Sequence, residues 1–492
     1  MILSRPRPQV GQPIHLYSRD PRETFGGPRA AAMSAVLALL ASISCIPSPR
    51  SALRPSPTPA VIGSLSPRVI SEPSPIASCN GDGQLVGAPE EPSLGVDPRN
   101  ARHLVAAWQQ DRRTAGAAFG LAVALSRDAG ATWRKSMLPG LTQCAGGPYQ
   151  LASDTWASIG PDGTAYVGAL GVNPGGKPGT AILVSSARDG GTSWGAPVVV
   201  SAGSPSQVLD KPSVLADPLR ARRVYAVWAK FTNRVRGDES DFARSDDGGA
   251  TWTQPVTVYK SSVGSQNNLL LALPSGELVD VFVEGTEAKE GDQNTVAASR
   301  STDGGATWSQ PATIASFPFT ITRDPERGTE MRSIGQDISA ASNGRRLYVT
   351  WFENHRTGTS TVWFARSADG GLTWSAPSAV VQEAAQPFLP SLAVAKDGSL
   401  GATWYDLRDA ASGPGLGTEV WAAVSTDRGN TWRPRKLDGP FDLRSAPGST
   451  LGLFIGDYEG LGGLQSSFAT AYVRTPAGGA KDRTEIAFAR FR

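Results

Sequence analysis

Charged and aromatic residues cluster just after short apolar runs of this chain, and they are the side chains that could do chemistry. The clearest clusters lie at 109–112, 330–332, 405–409 and 457–459. They combine arginines that can bind an anion, carboxylates that can transfer a proton and tyrosines that become nucleophiles beside a base. The three histidines, at 15, 103 and 355, form no His-Glu-x-x-His pair, which argues against a histidine-based zinc hydrolase. We expect neither a metal nor a cofactor.

The composition indicates which elements must position these residues. The 492 residues are 40% hydrophobic and 18% charged and include 13 Trp, which is too apolar for wholesale disorder. The 55 Gly and 38 Pro are many for a helical protein and are typical of short strands joined by tight turns. The sequence therefore predicts a folded, all-β protein.

The net charge of +3 is divided unevenly along the chain. Residues 1–76 carry +5, so the remaining residues carry −2. The larger part has no Lys- and Arg-rich run that could hold a polyanion along its backbone. We therefore expect no nucleic-acid partner.

The N-terminal segment has the pattern of an export signal. Its apolar run, 30–43, has fourteen residues, which is short for a membrane-spanning helix of roughly 20 residues but suits a signal peptide. We expect residues 1–45 to be this signal, with Met1 or Met33 as the start. The motif that ends at Cys45 resembles a bacterial lipoprotein signal. Two outcomes stay open: lipidation of Cys45, which would anchor the protein at the cell surface, and ordinary cleavage, which would release a secreted protein.

A Pro- and Ser-rich stretch, 46–83, follows the signal and predicts an extended tether. Residues 84–492 are then expected to form a single domain, and we expect a monomer. In the oxidising compartment that export implies, the remaining cysteines, Cys79 and Cys144, are predicted to form a disulfide.

One octet of residues, Ser-x-Asp-x-Gly-x-Thr-Trp, recurs along the domain. The copies are 126–133, 245–252, 301–308, 367–374 and 425–432, with a degenerate copy at 187–194. Their Trp residues are separated by 61, 58, 56, 66 and 58 residues. Spacing this even indicates one structural unit repeated along the chain.

Each octet is interpreted as a turn between two strands. The Asp carboxylate can accept hydrogen bonds from N–H groups two or three residues later, and the Gly can adopt a positive φ. The Trp is large enough to wedge between neighbouring units. We therefore predict a structural role for the six octet aspartates, Asp128, Asp189, Asp247, Asp303, Asp369 and Asp427.

Three further strand patterns accompany each octet, which gives four antiparallel strands in about sixty residues. Such a unit is one blade of a β-propeller, a ring of blades around a central channel. The C-terminal residues supply three strands without an octet, and Gln84 to Ala88 is the expected fourth strand of that closing unit. We predict seven blades, with six as the alternative.

The octet is the Asp box, or BNR repeat, and the chain resembles a bacterial sialidase-family propeller over residues 84–492. Asp boxes also occur in other glycan-acting propellers, in sorting receptors and in assembly factors, so the motif indicates architecture more than activity. The Asp boxes join third to fourth strands on one face of the disc. The clusters of charged and aromatic residues lie on the opposite face, around the mouth of the channel, where sialidases bind their substrate.

The resemblance implies a set of site residues. In sialidases three arginines hold the substrate carboxylate, a Tyr paired with a Glu is the nucleophile and an Asp supplies the proton. The corresponding residues here are Arg112, Arg332 and Arg408 for binding and Tyr458, Glu330 and Asp154 for catalysis. One position departs from the pattern, because Glu91 stands where a sialidase has an arginine. Its charge would repel a sialic acid carboxylate.

Two functions stay open at this stage. The first is an exported glycoside hydrolase of sialidase type, a retaining exo-glycosidase on acidic sugars. The second is a non-catalytic surface propeller that binds glycans or protein partners. Arginines that recur after the second strand of several blades, such as Arg112 and Arg408, could equally be structural links between blades.

Overall fold

The computed structural model describes residues 64–492 except for short gaps, which are 72, 80, 233–238, 286–289, 333–336, 356–358, 382–385, 411–414 and 450–451. The predicted signal peptide, Cys45 and the first part of the tether lie outside the described residues. The helices in the described part are single 3₁₀ turns at Ala77–Cys79, Gln143–Ala145 and Leu443–Ser445. None of them is long or apolar enough to cross a membrane.

The described residues form five four-stranded antiparallel sheets, one eight-stranded sheet and a two-stranded hairpin. The eight-stranded sheet is two sets of four joined by the pair Ala118 and Ala152, and we call the seven sets of four blades 1 to 7. The first strand, β1 (Leu65–Val69), belongs to the last set. Blade 1 contains β2 (Glu90–Val96), β3 (Leu104–Arg112), β4 (Ala118–Ser126) and β5 (Arg134–Met137). Blade 2 contains β6 (Leu151–Ile159), β7 (Ala165–Val172), β8 (Thr180–Ala187) and β9 (Val198–Ala202). Blade 3 contains β10 (Gln207–Ala216), β11 (Val224–Thr232), β12 (Glu239–Ser245) and β13 (Val256–Lys260).

The remaining blades follow in chain order. Blade 4 contains β14 (Ser265–Ala272), β15 (Leu278–Glu284), β16 (Gln293–Ser301) and β17 (Ala312–Pro318). Blade 5 contains β18 (Ile338–Asn343), β19 (Arg346–Asn354), β20 (Ser360–Ser367) and β21 (Ser378–Val381). Blade 6 contains β22 (Pro387–Val394), β23 (Leu400–Asp406), β24 (Gly417–Ser425) and β25 (Arg433–Asp442). A small hairpin, β26 (Gly448–Ser449) and β27 (Gly452–Leu453), precedes blade 7, which contains β28 (Gly460–Gly463), β29 (Phe468–Arg474), β30 (Glu485–Phe491) and β1.

The first strands of the blades contact one another in a closed cycle. The cycle runs β2, β6, β10, β14, β18, β22, β28 and back to β2. Four-stranded antiparallel sheets arranged in this way form a β-propeller. The fold class expected from the sequence is therefore confirmed.

Octet tryptophans pack into the seams between blades, as their size predicts. Trp308 of blade 4 lies edge-on to Phe242 of blade 3, with ring centroids 5.4 Å apart. Trp133 of blade 1 makes the same contact with Phe488 of blade 7, at 4.9 Å, and so ties the last blade to the first. Such edge-on aromatic pairs add to the burial of apolar area that holds each seam.

The Asp-box turns repeat one set of hydrogen bonds. In the five regular copies the Ser hydroxyl donates to one oxygen of the Asp carboxylate, at 2.8 Å, and the Thr hydroxyl donates to the other, at 2.6 Å. The Thr backbone N–H also donates to the carboxylate. These bonds close the turn locally, which supports a structural role for the octet aspartates.

We expect Asp247→Ala to cost about 1 kcal/mol of unfolding free energy, as the loss of a capping carboxylate does. The bonds from Thr251 lower the pKa of Asp247 to about 2. Its contribution is therefore full above the unfolded aspartate pKa and disappears as the pH falls through about 2. Urea unfolding at pH 7 and pH 2 measures this. Asp189→Ala is the matched control with a smaller loss, since Asp189 accepts from the N–H groups of Thr192 and Ser193 but has Ala187 in place of the octet's first Ser and so lacks that hydroxyl bond. Equal losses for both variants would contradict this account.

The N-terminal side of the domain differs from the prediction. Its segment Leu65–Val69, not Gln84 to Ala88, pairs with β30 as the fourth strand of blade 7. The segment around Gln84 lies instead beside the end of β3, where Leu85 N–H donates to Arg112 O. The propeller therefore includes residues that were assigned to the tether, because a strand made mostly of polar and Pro residues has no apolar pattern to show it. The predicted disulfide between Cys79 and Cys144 is present and ties this segment to blade 1.

Candidate active site

The first strand of most blades bulges where it enters the sheet, at the mouth of the channel. Pairing with the second strand shifts register at this point in blades 1, 2, 3, 4 and 6. The bulged residues have positive φ, with 51° for Glu91, 51° for Asp154, 46° for Lys211, 58° for Asn267 and 50° for Leu389. Non-glycine residues in this conformation are strained, and such strain is concentrated at functional sites. By register with β29, Tyr458 occupies the same position in blade 7.

Lys211 links two carboxylates at this mouth. Its ammonium lies 2.8 Å from Asp457 Oδ2 and 3.9 Å from Asp154 Oδ1. Only 12% of the Lys211 side chain is exposed, so the three charges interact with little solvent between them. The carboxylates come from blades 2 and 7 and the lysine from blade 3, so the group depends on closure of the ring.

Two arginines of the predicted set also reach the mouth, and both are already paired. Arg112 Nε lies 3.2 Å from Glu90 Oε2, and Arg332 Nη2 donates to Asp457 Oδ2 at 3.3 Å. Both guanidinium groups stack on the ring of Phe454, at 4.8 Å and 4.4 Å from its centroid. The two arginines therefore meet on one aromatic ring, each with an internal carboxylate as counter-ion.

Glu91 is built into the same cluster. Its carboxylate accepts hydrogen bonds from Gln109 Nε2 and from the backbone N–H of Asp457. Thr155 donates its hydroxyl to Glu91 O, which joins blade 2 to blade 1. The acid that replaces a sialidase arginine is thus a buried structural element of the mouth.

The acids of the cluster have pKa values that are shifted in opposite directions. Burial raises the pKa of Asp154, against the opposing effect of Lys211, and it raises the pKa of Glu90 and of Asp210 to about 7. Burial also acts on Asp457, but Lys211 and Arg332 outweigh it and hold the pKa of this carboxyl below its usual value. A carboxyl whose pKa is raised and a carboxyl whose pKa is lowered are therefore neighbours, which is the pattern of an acid and base pair.

A cavity at the mouth exposes a subset of these groups. Its charged lining residues are Asp154, Lys211, Asp337 and Asp457. Tyr458 and Trp156 also line it, with ring centroids 5.7 Å apart. Glu90, Glu91 and Asp210 do not line this cavity, so Asp154 and Asp457 are the members of the cluster best placed to meet a ligand.

Tyr458 reaches the mouth but not as an activated nucleophile. Its hydroxyl is buried and makes no hydrogen bond of normal geometry with the described residues. Burial and the nearby charges of Glu91 and Asp154 raise the pKa of the phenol well above 10. The phenol therefore keeps its proton, and a protonated phenol is a weak nucleophile.

Two residues of the predicted set lie elsewhere. Glu330 contacts Arg323 at 3.1 Å across a narrow turn and does not accompany Arg332 or Tyr458. Arg408 is held by Asp406, and its guanidinium stacks on Trp421 at 3.7 Å. The structure thus brings together Asp154, Tyr458, Arg112 and Arg332, while Glu330 and Arg408 are held by local partners.

The sequence missed the two residues that organise the mouth. Lys211 stands at the entry to a first strand but belongs to no sialidase motif, and the pattern around Phe454 predicts the first strand of the closing unit rather than a ring that two arginines contact. Lys211 could have been found by aligning the residue before the apolar start of each first strand, where the blades carry Glu91, Asp154 and Lys211. In the described part of the chain, no three His, Cys, Asp or Glu side chains are grouped in a way that could hold a metal ion.

Part of the chain matches a known protein family. Residues 223–450 match the family model of the BNR repeat-like domain. The matched residues include all four strands of blades 4, 5 and 6, and the Asp boxes of blades 3 to 6 lie within them. The resemblance drawn from the octets is confirmed at this level.

Curated relatives of this chain include two xyloglucanases. Xyloglucanase Xgh74A of Acetivibrio thermocellus is 29% identical over 223 residues, which are 42% of this chain and 24% of that protein. A xyloglucanase of a Paenibacillus species is 28% identical over 262 residues, 51% of this chain and 22% of that protein. The chain therefore spans less than a quarter of the length of these relatives.

Solved structures with a similar fold include glycosidases. Hadza microbial sialidase Hz136 superposes with a TM-score of 0.45 at 16% identity, covering 79% of this chain and 73% of that one. An α-L-arabinanase of Penicillium chrysogenum, complexed with arabinobiose, gives a TM-score of 0.43 at 12% identity, covering 68% of this chain and 92% of that one.

Proposed function

We propose that this protein hydrolyses glycosidic bonds at the mouth of its propeller. The observation that carries the proposal is the pair Asp154 and Asp457, which flank one ammonium group, line one cavity and differ in pKa in opposite directions. Glycoside hydrolases of most families use one protonated and one ionised carboxyl on either side of the bond.

We assign the catalytic roles from the directions of the two pKa shifts, with Asp154 as the acid and Asp457 as the base. Asp154 gives its proton to the glycosidic oxygen as the bond from that oxygen to the anomeric carbon breaks. Asp457 takes a proton from a water whose oxygen forms the new bond to the same carbon. The second carboxylate oxygen of Asp457, Oδ1, is buried and accepts no hydrogen bond from the described residues. Lys211 keeps Asp457 ionised, and Tyr458 and Trp156 offer aromatic faces to a sugar ring.

We propose an uncharged glycan as the substrate, in place of the acidic sugar expected from the sequence. Arg112 and Arg332 already have buried counter-ions, and the third arginine of a sialidase site, Arg408, is held elsewhere. An acidic sugar would also meet the charge of Asp457. The two curated relatives named for action on xyloglucan support a polysaccharide substrate.

A second candidate is a propeller that binds glycans without cleaving them. The specific observation in its favour is that the mouth cations are fixed in internal ion pairs, which is how structural arginines behave. The aromatic faces of the mouth would then hold a sugar with no reaction.

A panel of aryl glycosides and neutral and acidic polysaccharides separates these proposals. We expect release of product from at least one neutral substrate and none from sialosides or uronides. Turnover of a sialoside would overturn the proposed specificity. Binding of a neutral oligosaccharide in calorimetry without turnover of any substrate would establish the second candidate.

We also propose that the protein acts outside the cytoplasm, as its export pattern and the Cys79–Cys144 disulfide support. If Cys45 is lipidated, Cys45→Ser will move the protein from the membrane fraction to the medium or periplasm. The same distribution for both proteins would indicate a secreted form.

A further inference from the structure

Three arginines of blades 5 and 6 line a groove on the Asp-box face, opposite the mouth. Arg346, Arg366 and Arg428 lie along this groove with Tyr348 and Trp374, and its volume is about 480 Å³. We call it the arginine groove. Among the described residues, no carboxylate forms an ion pair with any of the three guanidinium groups. The groove therefore presents three uncompensated positive charges.

Tyr348 lines the same groove as the three arginines. Burial raises the pKa of Tyr348, and the charges of Arg346, Arg428 and Arg366 oppose that rise. Arg366 is fixed in place, since it donates to Arg428 O at 2.7 Å and to Asn430 Oδ1 at 2.9 Å. Arg346 and Arg428 are exposed, so they can reach a ligand from the solvent.

Arg428 occupies a position where a large side chain is costly. It has a φ of 63° at the fourth residue of its Asp box. The same position in the other copies has a similar φ and a small residue, with 61° at Ala129, 74° at Gly190, 81° at Gly248, 74° at Gly304 and 79° at Gly370. A long side chain in the left-handed region is strained, and strain of this kind persists where it serves a function.

Blade 3 shows how the same surface is neutralised elsewhere. It has arginines at the positions of Arg346 and Arg366, namely Arg223 and Arg244, and both pair with Asp246 at 2.6 Å and 3.1 Å. In the blade 5 Asp box, the position of Asp246 is held by Ala368. Blade 5 therefore lacks the acid that neutralises the corresponding arginines of blade 3.

We propose that the arginine groove binds an oxyanion, a carboxylate, sulfate or phosphate group carried by a ligand of about the size of a substituted sugar. Guanidinium groups recognise such anions through paired N–H bonds, and Arg366 is already held in position for them. The aromatic rings of Tyr348 and Trp374 give the ligand an apolar surface. This site is on the face opposite the mouth and does not depend on the reaction proposed there.

Thermal unfolding and calorimetry with sodium sulfate, sodium phosphate and glucuronic acid test the proposal, with chloride used to keep the ionic strength constant. We expect a saturable rise in Tm with at least one of these anions, as binding to the native state requires. The anion that binds best identifies the group. No saturable effect of any of the three would overturn the proposal.

Two variants and one control locate the site. Ala368→Asp supplies the carboxylate found in blade 3 and is expected to weaken binding about tenfold or more. Arg428→Gly restores the small residue of the other turns, so it should keep or raise the Tm without ligand while binding weakens by a similar factor. Thr302→Asp adds the same charge at the same Asp-box position in blade 4 and should leave binding unchanged. If all three proteins bind like the wild type, or if Thr302→Asp weakens binding as much as Ala368→Asp, the groove is not the site.

Discussion

Replacing Lys211 with methionine is expected to destabilise the propeller by about 3–5 kcal/mol at pH 7. The ammonium lies 2.8 Å from Asp457 Oδ2 and 3.9 Å from Asp154 Oδ1, and both carboxylates are buried. Removing the cation takes from Asp457 the nearer of its two counter-ions, Lys211 and Arg332, and takes from Asp154 the ammonium beside it. A buried charge that loses its partner is costly even where the intact pair adds little to stability.

The cost of Lys211→Met should depend on pH in a defined direction. In the wild type the pKa of Lys211 is raised, so its contribution is full below the unfolded lysine pKa and is lost only as the pH rises through the higher folded value. In the variant, burial acts on Asp154 without the opposing lysine, so Asp154 takes up a proton more readily in the native state than when unfolded, while Asp457 keeps Arg332 as a counter-ion. The variant therefore gains stability as the pH falls, and the deficit shrinks between pH 8 and pH 5.

Urea unfolding at these two pH values measures the deficit, provided that the slope of free energy against urea concentration is unchanged. Lys260→Met is the matched control, because Lys260 lies 2.8 Å from Glu239 Oε1 but has a side chain that is 70% exposed. An exposed pair of this kind contributes about 0–1 kcal/mol. A loss for Lys211→Met no larger than for this control, or a loss that grows as the pH falls, would show that the lysine does not stabilise the cluster.

Most of the fold could be predicted because its units repeat. The octets fix the turn between third and fourth strands in blades 1 to 6, and the packing of Trp308 on Phe242 shows why each needs its Trp. The strand Leu65–Val69 could not be predicted in the same way. It is an edge strand of Pro- and Ser-rich sequence, held by pairing with β30 rather than by an apolar face of its own.

The site was predictable only in part, because spacing along a strand does not show which partner a side chain takes. Arg112 and Arg408 both follow a buried Trp, but Asp406 lies two residues before Arg408 and captures it. Arg332 reaches the mouth because its segment runs beside β27, where its N–H donates to Leu453 O. Lys211 becomes central through a bulge and through ring closure, which place it between carboxylates of two other blades. Its position before a first strand is visible in the sequence, but these partners are not.

The largest effect on activity is expected from Asp154→Asn, which should lower kcat on a neutral glycoside by about 10²–10⁴-fold. An amide of nearly the same shape cannot give a proton to the leaving oxygen, so a substrate whose aglycone leaves without protonation should lose much less. In the wild type, activity should fall as the pH rises above the raised pKa of Asp154 and as it falls below the lowered pKa of Asp457. Asp154→Asn should lose the alkaline limb of that profile while keeping the acidic one.

Asp162→Asn is the matched control for this variant. Asp162 belongs to the same blade, but it is exposed at a turn on the Asp-box face, where its carboxylate accepts a hydrogen bond from the Thr164 N–H. It should keep wild-type activity. A pH profile of Asp154→Asn with both limbs intact would assign the proton to another acid. Asp210 would be the next to test, because burial raises its pKa to about 7 and the backbone places it beside Lys211. Loss of the alkaline limb is therefore the result that assigns Asp154 as the acid and Asp457 as the base. A drop in kcat alone would be expected for any residue that shapes the mouth.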